Sequence, residues 1–445
     1  MEGGCRCLPW WNPRGLYSRV RAGKCGAAGH VVRAARIRDG ASVQVDETGI
    51  SPWERVSREL NAEFGGQRLM HCHLLNGQRF SLAFDSVSAC CSATHSKYTP
   101  TICDYAGSRI AAEDYVNGLA RIIRENQGED GPCTGCRFLV ETSVPARFAA
   151  EFFSEISIHN FDGCNSACVY CWGSEGSLPV KYEATCDHEE FFGDLLSQRA
   201  IQPGATVVPW GGAEPTTLKT FEGTCDFFAS NQIMQIINTS GIKFSPGIER
   251  ALRARMASVQ ISADSGTEDV FRKVKRNRHY HEVWENIRRY AGTGGDVTVK
   301  YILLSLNSDP GEVEAFVERC CDAGVRTINI SVDARAVFDR SGDVAPITEK
   351  ELDAAASMFD LATRRGIRAI YGDIWTPEQR RAIALREEVV ALRGEVAALI
   401  EREAALKQWV SAYEGSASWR LTRLLRVANG FVRRSGGASS RTSGP

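Results

Sequence analysis

The chain has 445 residues, of which 43% are hydrophobic and 24% charged, and its formal net charge is -1. A length of this order asks for more than one ordinary core, and the near-neutral balance argues against nucleic acid as a partner. No apolar run is long enough to cross a bilayer, and Met1–Cys7 lacks the charged-then-apolar pattern of an export signal, so a cytoplasmic protein is expected. The 16 cysteines then point to metal or redox use rather than disulfides, because the cytosol keeps thiols reduced.

In chain order, residues 1–65 are rich in Gly, Arg, Ala and Pro with weak periodicity; they form a poorly defined segment in which Cys5, Cys7 and Cys25 have no assigned role. Residues 66–140 read as a small cysteine-rich module. Arg79–Asp85 alternates in part, as a strand does, and runs into Cys90 and Cys91. Cys103 follows a turn-rich segment, Ala111–Asn126 is an amphipathic helix, and the knuckle Cys133-x2-Cys136 closes the module. Cys103, Cys133, Cys136 and one of Cys90 or Cys91 would make a four-ligand site, with Cys72 as a spare; zinc and an iron–sulfur cluster both fit the count.

Residues 150–372 alternate between apolar strands and helices. The strands are expected at Ile156–Ile158, Thr206–Trp210, Ile233–Asn238, Val259–Ser262, Val297–Leu303 and Thr327–Val332. Helices are expected at His188–Gln198, Lys219–Phe228, Ile248–Met256, Thr267–Tyr290, Gly311–Ala323 and Thr348–Arg365. Such alternation means crossover units and a parallel sheet, here an α/β partial (βα)6 barrel whose ligand lies at the carboxyl ends of the strands.

Residues 376–414 are helical and charged, with Leu385, Leu392, Leu399 and Leu406 seven residues apart and Val389, Val396 and Val410 in the second seam position. This is the pattern of a parallel two-stranded coiled coil, and so of a homodimer, although Glu403 and Gly394 interrupt it; a solvated single helix is the competing reading. Residues 415–445 form a basic amphipathic tail with a disordered end, suited to an anionic membrane surface at the inner face, to a partner, or to simple docking.

The most informative stretch is Cys164-x3-Cys168-x2-Cys171, with Tyr170 before the third cysteine, on the loop after the first barrel strand. Thiolates are ligands for soft metals and iron–sulfur clusters, and three of them around a four-iron cube leave one iron open to a small molecule. The motif resembles the signature of the radical S-adenosylmethionine (radical SAM) superfamily. Gly211-Gly212-Ala213-Glu214 resembles that family's glycine-glycine-glutamate loop, with Ala213 inserted. Gln260–Ser265 and Tyr301–Asn307 resemble its fourth- and fifth-strand segments.

The resemblance implies a [4Fe-4S] cluster on Cys164, Cys168 and Cys171, and SAM near Tyr170, Gly211, Gly212, Glu214, Ser262, Asp264 and Asn307. It further implies an electron donor such as a flavodoxin or ferredoxin, and hydrogen abstraction from a substrate by epimerisation, dehydrogenation or elimination. The 66–140 module resembles the auxiliary-cluster domains called SPASM and twitch, which implies a second [4Fe-4S] cluster; zinc remains the alternative. The tail Ser418-Trp419-Arg420-Leu421 resembles the ends of enzymes of cell-surface polysaccharide pathways, which implies a sugar, nucleotide-sugar or glycan substrate. A peptide-modifying maturase and a non-catalytic zinc scaffold are the competing functions.

Overall fold

The computed structural model describes residues 50–416, 418 and 422, less 66, 85, 91–99, 106–108, 135, 137–138, 144–151, 172–182, 334, 336–346 and 373–374. The expectations for Cys91 and for most of the basic tail therefore fall outside the described residues. The chain divides into two compact units after Ile383.

The first unit is built on a ten-stranded sheet. Seven consecutive parallel strands run inward from one edge: β6 (Glu155–Ile158), β7 (Val207–Trp210), β8 (Met234–Thr239), β9 (Ala257–Ser262), β10 (Asp296–Leu303), β11 (Thr327–Val332) and β12 (Arg368–Tyr371), with β12 at the edge. Each lies beside its sequence neighbour, as crossover helices on one side of a curling sheet require. The six expected strands are present within one or two residues, and β12 adds a seventh.

The sheet does not stop at β6. Strand β2 (Arg79–Leu82) pairs with it in parallel, and β3 (Ser86–Ser88) and β4 (Thr101–Asp104) continue antiparallel beyond that. The cysteine-bearing segment thus extends the barrel sheet. Strands β1 (Arg68–His71) and β5 (Val140–Ser143) form a separate antiparallel pair. Helices α1 (Pro52–Phe64) and α2 (Ala112–Glu125) cover this end. α1 starts where Ser51 Oγ accepts from the Glu54 N–H at 3.2 Å and proline occupies the first turn, two ordinary start signals. Trp53, Phe80, Tyr115 and Phe153 lock the covering helices to the sheet edge, with Phe80–Phe153 centroids 4.9 Å apart edge to face. Removing a ring from such a core costs about 3–5 kcal/mol.

The helix expected at Thr267–Tyr290 is two helices, α3 (Glu268–Lys275) and α4 (Tyr280–Ala291). They part at Arg276, whose φ of +53° is left-handed and cannot continue a helix.

A 39-residue helix, Pro377–Gly415, begins in the first unit, where Ile383 is buried, and makes up most of the described part of the second. Its seam residues Leu385, Val389, Leu392, Val396, Leu399, Leu406 and Val410 are exposed. Among the described residues no helix is long and apolar enough to cross a membrane.

Candidate active site

The loops that follow β6, β7, β8, β9 and β10 gather at the carboxyl end of the parallel sheet, and the expected site residues sit on them. The chain leaves β6 at His159 and turns at fully buried Asn160. Asn160 Oδ1 accepts from His188 Nε2 at 2.9 Å, and its Nδ2 donates to Cys186 Sγ at 3.2 Å. Phe161 packs edge to face on Trp210. These anchors fix the start of the loop carrying Cys164, Cys168 and Cys171, all half-buried.

The loop's other end hangs on the last turn of α3. The Val169 N–H donates to Val274 O at 3.0 Å, Ser166 Oγ donates to Lys275 O at 3.1 Å, and Asn277 Nδ2 donates to Ser166 Oγ at 2.9 Å. The helix break after Lys275 is what frees Asn277 to reach back.

Burial pushes the Cys164 thiol up to about 12; the Ser166 backbone N–H opposes this, while Glu214, Cys168 and Cys171 add to it. Three sulfurs and a carboxylate therefore share one field, which a cationic centre would relieve. Among the described residues no three thiol, imidazole or carboxylate groups converge at single-ion distance. A four-iron cube binds each sulfur to a different iron and needs no such convergence. Three thiols on one half-buried loop are a donor set that such a cluster can use.

Beside the cysteines lies a buried ion pair. Lys275 Nζ is 2.8 Å from Asp264 Oδ2, with both side chains at 2% exposure or less. Tyr170 joins them: its hydroxyl donates to Asp264 Oδ2 at 2.5 Å and accepts from Lys275 Nζ at 2.8 Å. Burial alone would lower the Lys275 pKa, but Asp264 and the neighbouring Cys168 raise it beyond its ordinary value. Burial, Asp264 and Cys168 push Tyr170 well above the usual phenol range. The ammonium is thus held charged next to Cys168. Asp264 is itself braced: at φ +57° it is left-handed, its Oδ1 accepts from the Ile302 N–H at 2.8 Å, and its carbonyl accepts from Asn307 Nδ2 at 2.9 Å.

Tyr170, Asp264 and Asn307, expected near SAM, form one hydrogen-bonded cluster. Asn307 is fully buried; its Nδ2 also donates to Ile302 O at 2.8 Å, and its Oδ1 accepts from the Leu304 N–H at 2.8 Å. Its amide braces the protein rather than facing a ligand. Glu214 behaves similarly. It is 2% exposed and accepts from Thr216 Oγ1 at 2.6 Å, Thr239 Oγ1 at 2.8 Å and the Ser240 N–H at 2.5 Å. The Glu214 N–H donates to Gly163 O at 2.8 Å. With Ala213 ahead of it, Glu214 staples the cysteine loop to the ends of β7 and β8.

Gly211 and Gly212 are both positions where the structure requires glycine. A Cβ on Gly211 would stand 2.4 Å from the His159 ring, and Gly212 has φ +83°. Ser262 is half-buried at the end of β9.

Sequence reasoning missed Lys275, which stands in a run with Arg272, Lys273 and Arg276. It also missed a polar ladder across the sheet. Asn238 Nδ2 donates to Trp210 O at 3.0 Å, Gln260 Nε2 to Asn238 Oδ1 at 3.0 Å, and Asn329 Nδ2 to Gln260 Oε1 at 2.7 Å. The only available signal was polar residues interrupting apolar strands.

Four further cysteines lie elsewhere in the unit. Cys225 and Cys320 are buried, Cys186 is half-buried and Cys321 is exposed. Of the N-terminal cysteines, Cys90, Cys133 and Cys136 line one cavity together with Cys72. Cys103 does not line it; it lies on β4, where burial, Asp114 and Asp104 push its thiol up to about 12. An outer cleft lined by Thr267, Tyr280, His281 and Arg319 contains none of these thiols.

A parallel α/β barrel with a three-thiol loop after its first strand defines a class. Residues 160–320 match the radical SAM superfamily, a domain whose family implies a [4Fe-4S] cluster and SAM as cofactors. Among curated proteins it is similar to a GTP 3′,8-cyclase of Clostridium botulinum, 28% identical over 135 residues, which are 30% of this chain and 42% of that protein. A GTP 3′,8-cyclase of Mannheimia succiniciproducens is 25% identical over 157 residues, 35% of this chain and 46% of that one. The chain spans less than half the length of the curated relatives it matches. Among solved structures, SuiB of Streptococcus suis bound to S-adenosylmethionine aligns over 58% of this chain and 55% of its own, at 11% identity and a TM-score of 0.39.

Proposed function

We propose that this protein is a radical SAM enzyme that cleaves SAM reductively and removes a hydrogen atom from its substrate. The observation that carries the reading is the loop of Cys164, Cys168 and Cys171 at the carboxyl end of the first barrel strand, with the Lys275 ammonium held against Cys168. Cys164, Cys168 and Cys171 would hold the cluster. Gly211 and Gly212 let the backbone approach the methionine end of SAM, and half-buried Ser262 offers a hydroxyl to it. When bound, cluster and SAM together supply the electron transfer and the hydrogen-abstracting radical. Lys275 offsets thiolate charge at Cys168, while Asp264, Tyr170 and Asn307 keep that ammonium in place. The half-buried loop and its apolar underside, Phe161 and Trp210, limit water at the site. A flavodoxin- or ferredoxin-type protein would deliver the electron.

For the substrate we propose a sugar, nucleotide sugar or glycan, supported by the likeness of the C-terminal sequence to polysaccharide-pathway enzymes. GTP is the substrate class in the name of the curated relatives. It enters as a competitor, as does a peptide. The test is anaerobic loading with iron and sulfide, reduction with dithionite, and measurement of 5′-deoxyadenosine from SAM. Its formation, stimulated by nucleotide sugars more than by GTP or peptides, is expected. No 5′-deoxyadenosine, with zinc alone in the cysteines, would leave a non-catalytic scaffold; stimulation by GTP or peptides alone would overturn the sugar assignment.

A further inference from the structure

We propose that Asn329, with Ser331 beside it and Gly372 facing both, forms a specificity-determining site that receives a hydroxyl group of a sugar substrate. The inference rests on the sugar reading above and gives the sugar a place in the barrel.

The polar ladder across the sheet has a direction. It starts at a backbone carbonyl, Trp210 O, which can only accept, so Asn238 must turn its Nδ2 there. Asn238 Oδ1 then accepts from Gln260 Nε2, and Gln260 Oε1 accepts from Asn329 Nδ2. Flipping any amide in the row would set two acceptors or two donors against each other. The row therefore ends on an acceptor. Asn329 Oδ1 is buried and takes no hydrogen bond among the described residues. A buried acceptor without a donor is costly, and folded proteins leave few of them. The donor that this oxygen lacks is one a ligand can bring.

Space is kept open beside it. Gly372 continues β12, and its N–H donates to Ile330 O at 2.6 Å. Its φ is not left-handed, so the backbone conformation does not call for glycine. A Cβ there would stand 2.6 Å from Ser331 Oγ and 3.1 Å from Asn329 Oδ1. Glycine thus leaves room in front of these two oxygens. A ligand hydroxyl can donate to Asn329 Oδ1 and accept from Ser331 Oγ, which satisfies both of its roles.

The position suits a substrate lying against SAM. Ser258, Gln260 and Ser262 are the half-buried residues of β9, whereas Val259 and Ile261 point into the core. Register sets Lys300 beside Ser262 and Asn329 beside Lys300, so these three side chains share the open face. With neighbouring strands about 4.8 Å apart, the backbone at Asn329 is about 10 Å from that at Ser262. The Lys300 ammonium between them disfavours a second ammonium as the missing donor and favours a neutral hydroxyl.

The test reads binding, which needs no radical chemistry. The full chain, loaded with iron, sulfide and SAM and left unreduced, is dialysed to equilibrium against UDP-glucose, UDP-galactose, UDP-N-acetylglucosamine and UDP. At least one of the nucleotide sugars is expected to bind. Gly372→Ala fills the gap and keeps the ladder; Asn329→Leu removes the acceptor. Each should weaken the sugar about tenfold, with UDP affinity and far-UV circular dichroism unchanged. Binding of none of the nucleotide sugars, an affinity untouched by both variants, or an equal loss for UDP overturns the proposal. A ladder that only braces the strands would lower the melting temperature of Asn329→Leu and leave the affinity of Gly372→Ala as it was. Failure of the radical SAM reading would appear separately, as no 5′-deoxyadenosine after reduction of a protein that still binds the sugar.

Discussion

The two groups of thiols lie in the same compact unit and are built in opposite ways. The barrel loop has three cysteines among charged and hydrogen-bonding groups: Lys275, Asp264, Tyr170 and Glu214 all lie within its field. The N-terminal cavity has four cysteines set among Leu74, Leu75, Ala89, Pro100 and Leu139. The difference follows from ligand count. A cluster short of one protein ligand must present its open side to a polar molecule, and the protein around it has to be polar and rigid. Thiols that meet only apolar neighbours need no more than enclosure, which leucines supply.

The largest effect should come from the barrel loop itself. Cys168→Ala is expected to reduce SAM cleavage to background and to lower the iron content by about four per chain. Quantifying 5′-deoxyadenosine and iron on the same sample checks both parts. Full activity in this variant would end the comparison, because the loop would then hold nothing essential.

The buried pair behind the loop comes next. Lys275→Met leaves the Asp264 carboxylate buried without its cation, and the expected loss of stability is about 3–5 kcal/mol. Lys275→Met combined with Asp264→Asn should recover much of it, since asparagine tolerates the left-handed backbone and can still accept from the Ile302 N–H. Denaturant unfolding of the two apo variants measures the difference. If the double variant is no more stable than the single, the pair is not what holds this corner.

How much of this could be read from the sequence follows from the range of the interactions. The barrel strands were legible because each is a short apolar run between helices, and the cysteine loop because its spacing is local. The break in Thr267–Tyr290 was not legible: Arg276 is an ordinary helix former, and only the contact of Asn277 with Ser166 explains why the helix stops there. Glu214 and Asn307 were legible as important positions but not in their roles, because their partners Thr239, Ser240, Ile302 and Leu304 lie on other loops or strand ends. Helix α1 was missed although Ser51-Pro52 is a start signal, since its surroundings are rich in Gly and Arg. Cys103 fitted a ligand count that says nothing of which face of β4 a side chain takes.

A pH effect should separate the two regions further. Burial holds the His188 imidazole down at about 4, against the opposing pull of Asp187. Its folded pKa is thus below the unfolded value of about 6.5, so the unfolded chain takes up the proton first. The stability it contributes is complete above about pH 6.5 and is lost as pH falls toward about 4, up to about 3 kcal/mol. Because His188 Nε2 bonds Asn160 at the root of the cysteine loop, this loss should appear at the barrel end. His188→Gln is expected to flatten the melting temperature between these pH values; an unchanged slope would place the acid sensitivity elsewhere.

The smallest effect on either group of thiols should come from the C-terminal helix. Its leucines at 385, 392, 399 and 406 and valines at 389, 396 and 410 are exposed along a seven-residue repeat, an apolar stripe that solvent alone does not favour. Pairing with the same stripe of a second copy would cover it, and Glu403 and Gly394 should keep that pairing weak. Deleting residues 384–445 is therefore expected to convert a dimer to a monomer by light scattering at micromolar concentration. Iron content and SAM cleavage per chain should stay as they were. A full-length protein already monomeric at that concentration would remove the pairing. A deletion that also lowered iron content would show that the helix supports one of the thiol sites, and the comparison between them would then need a third element.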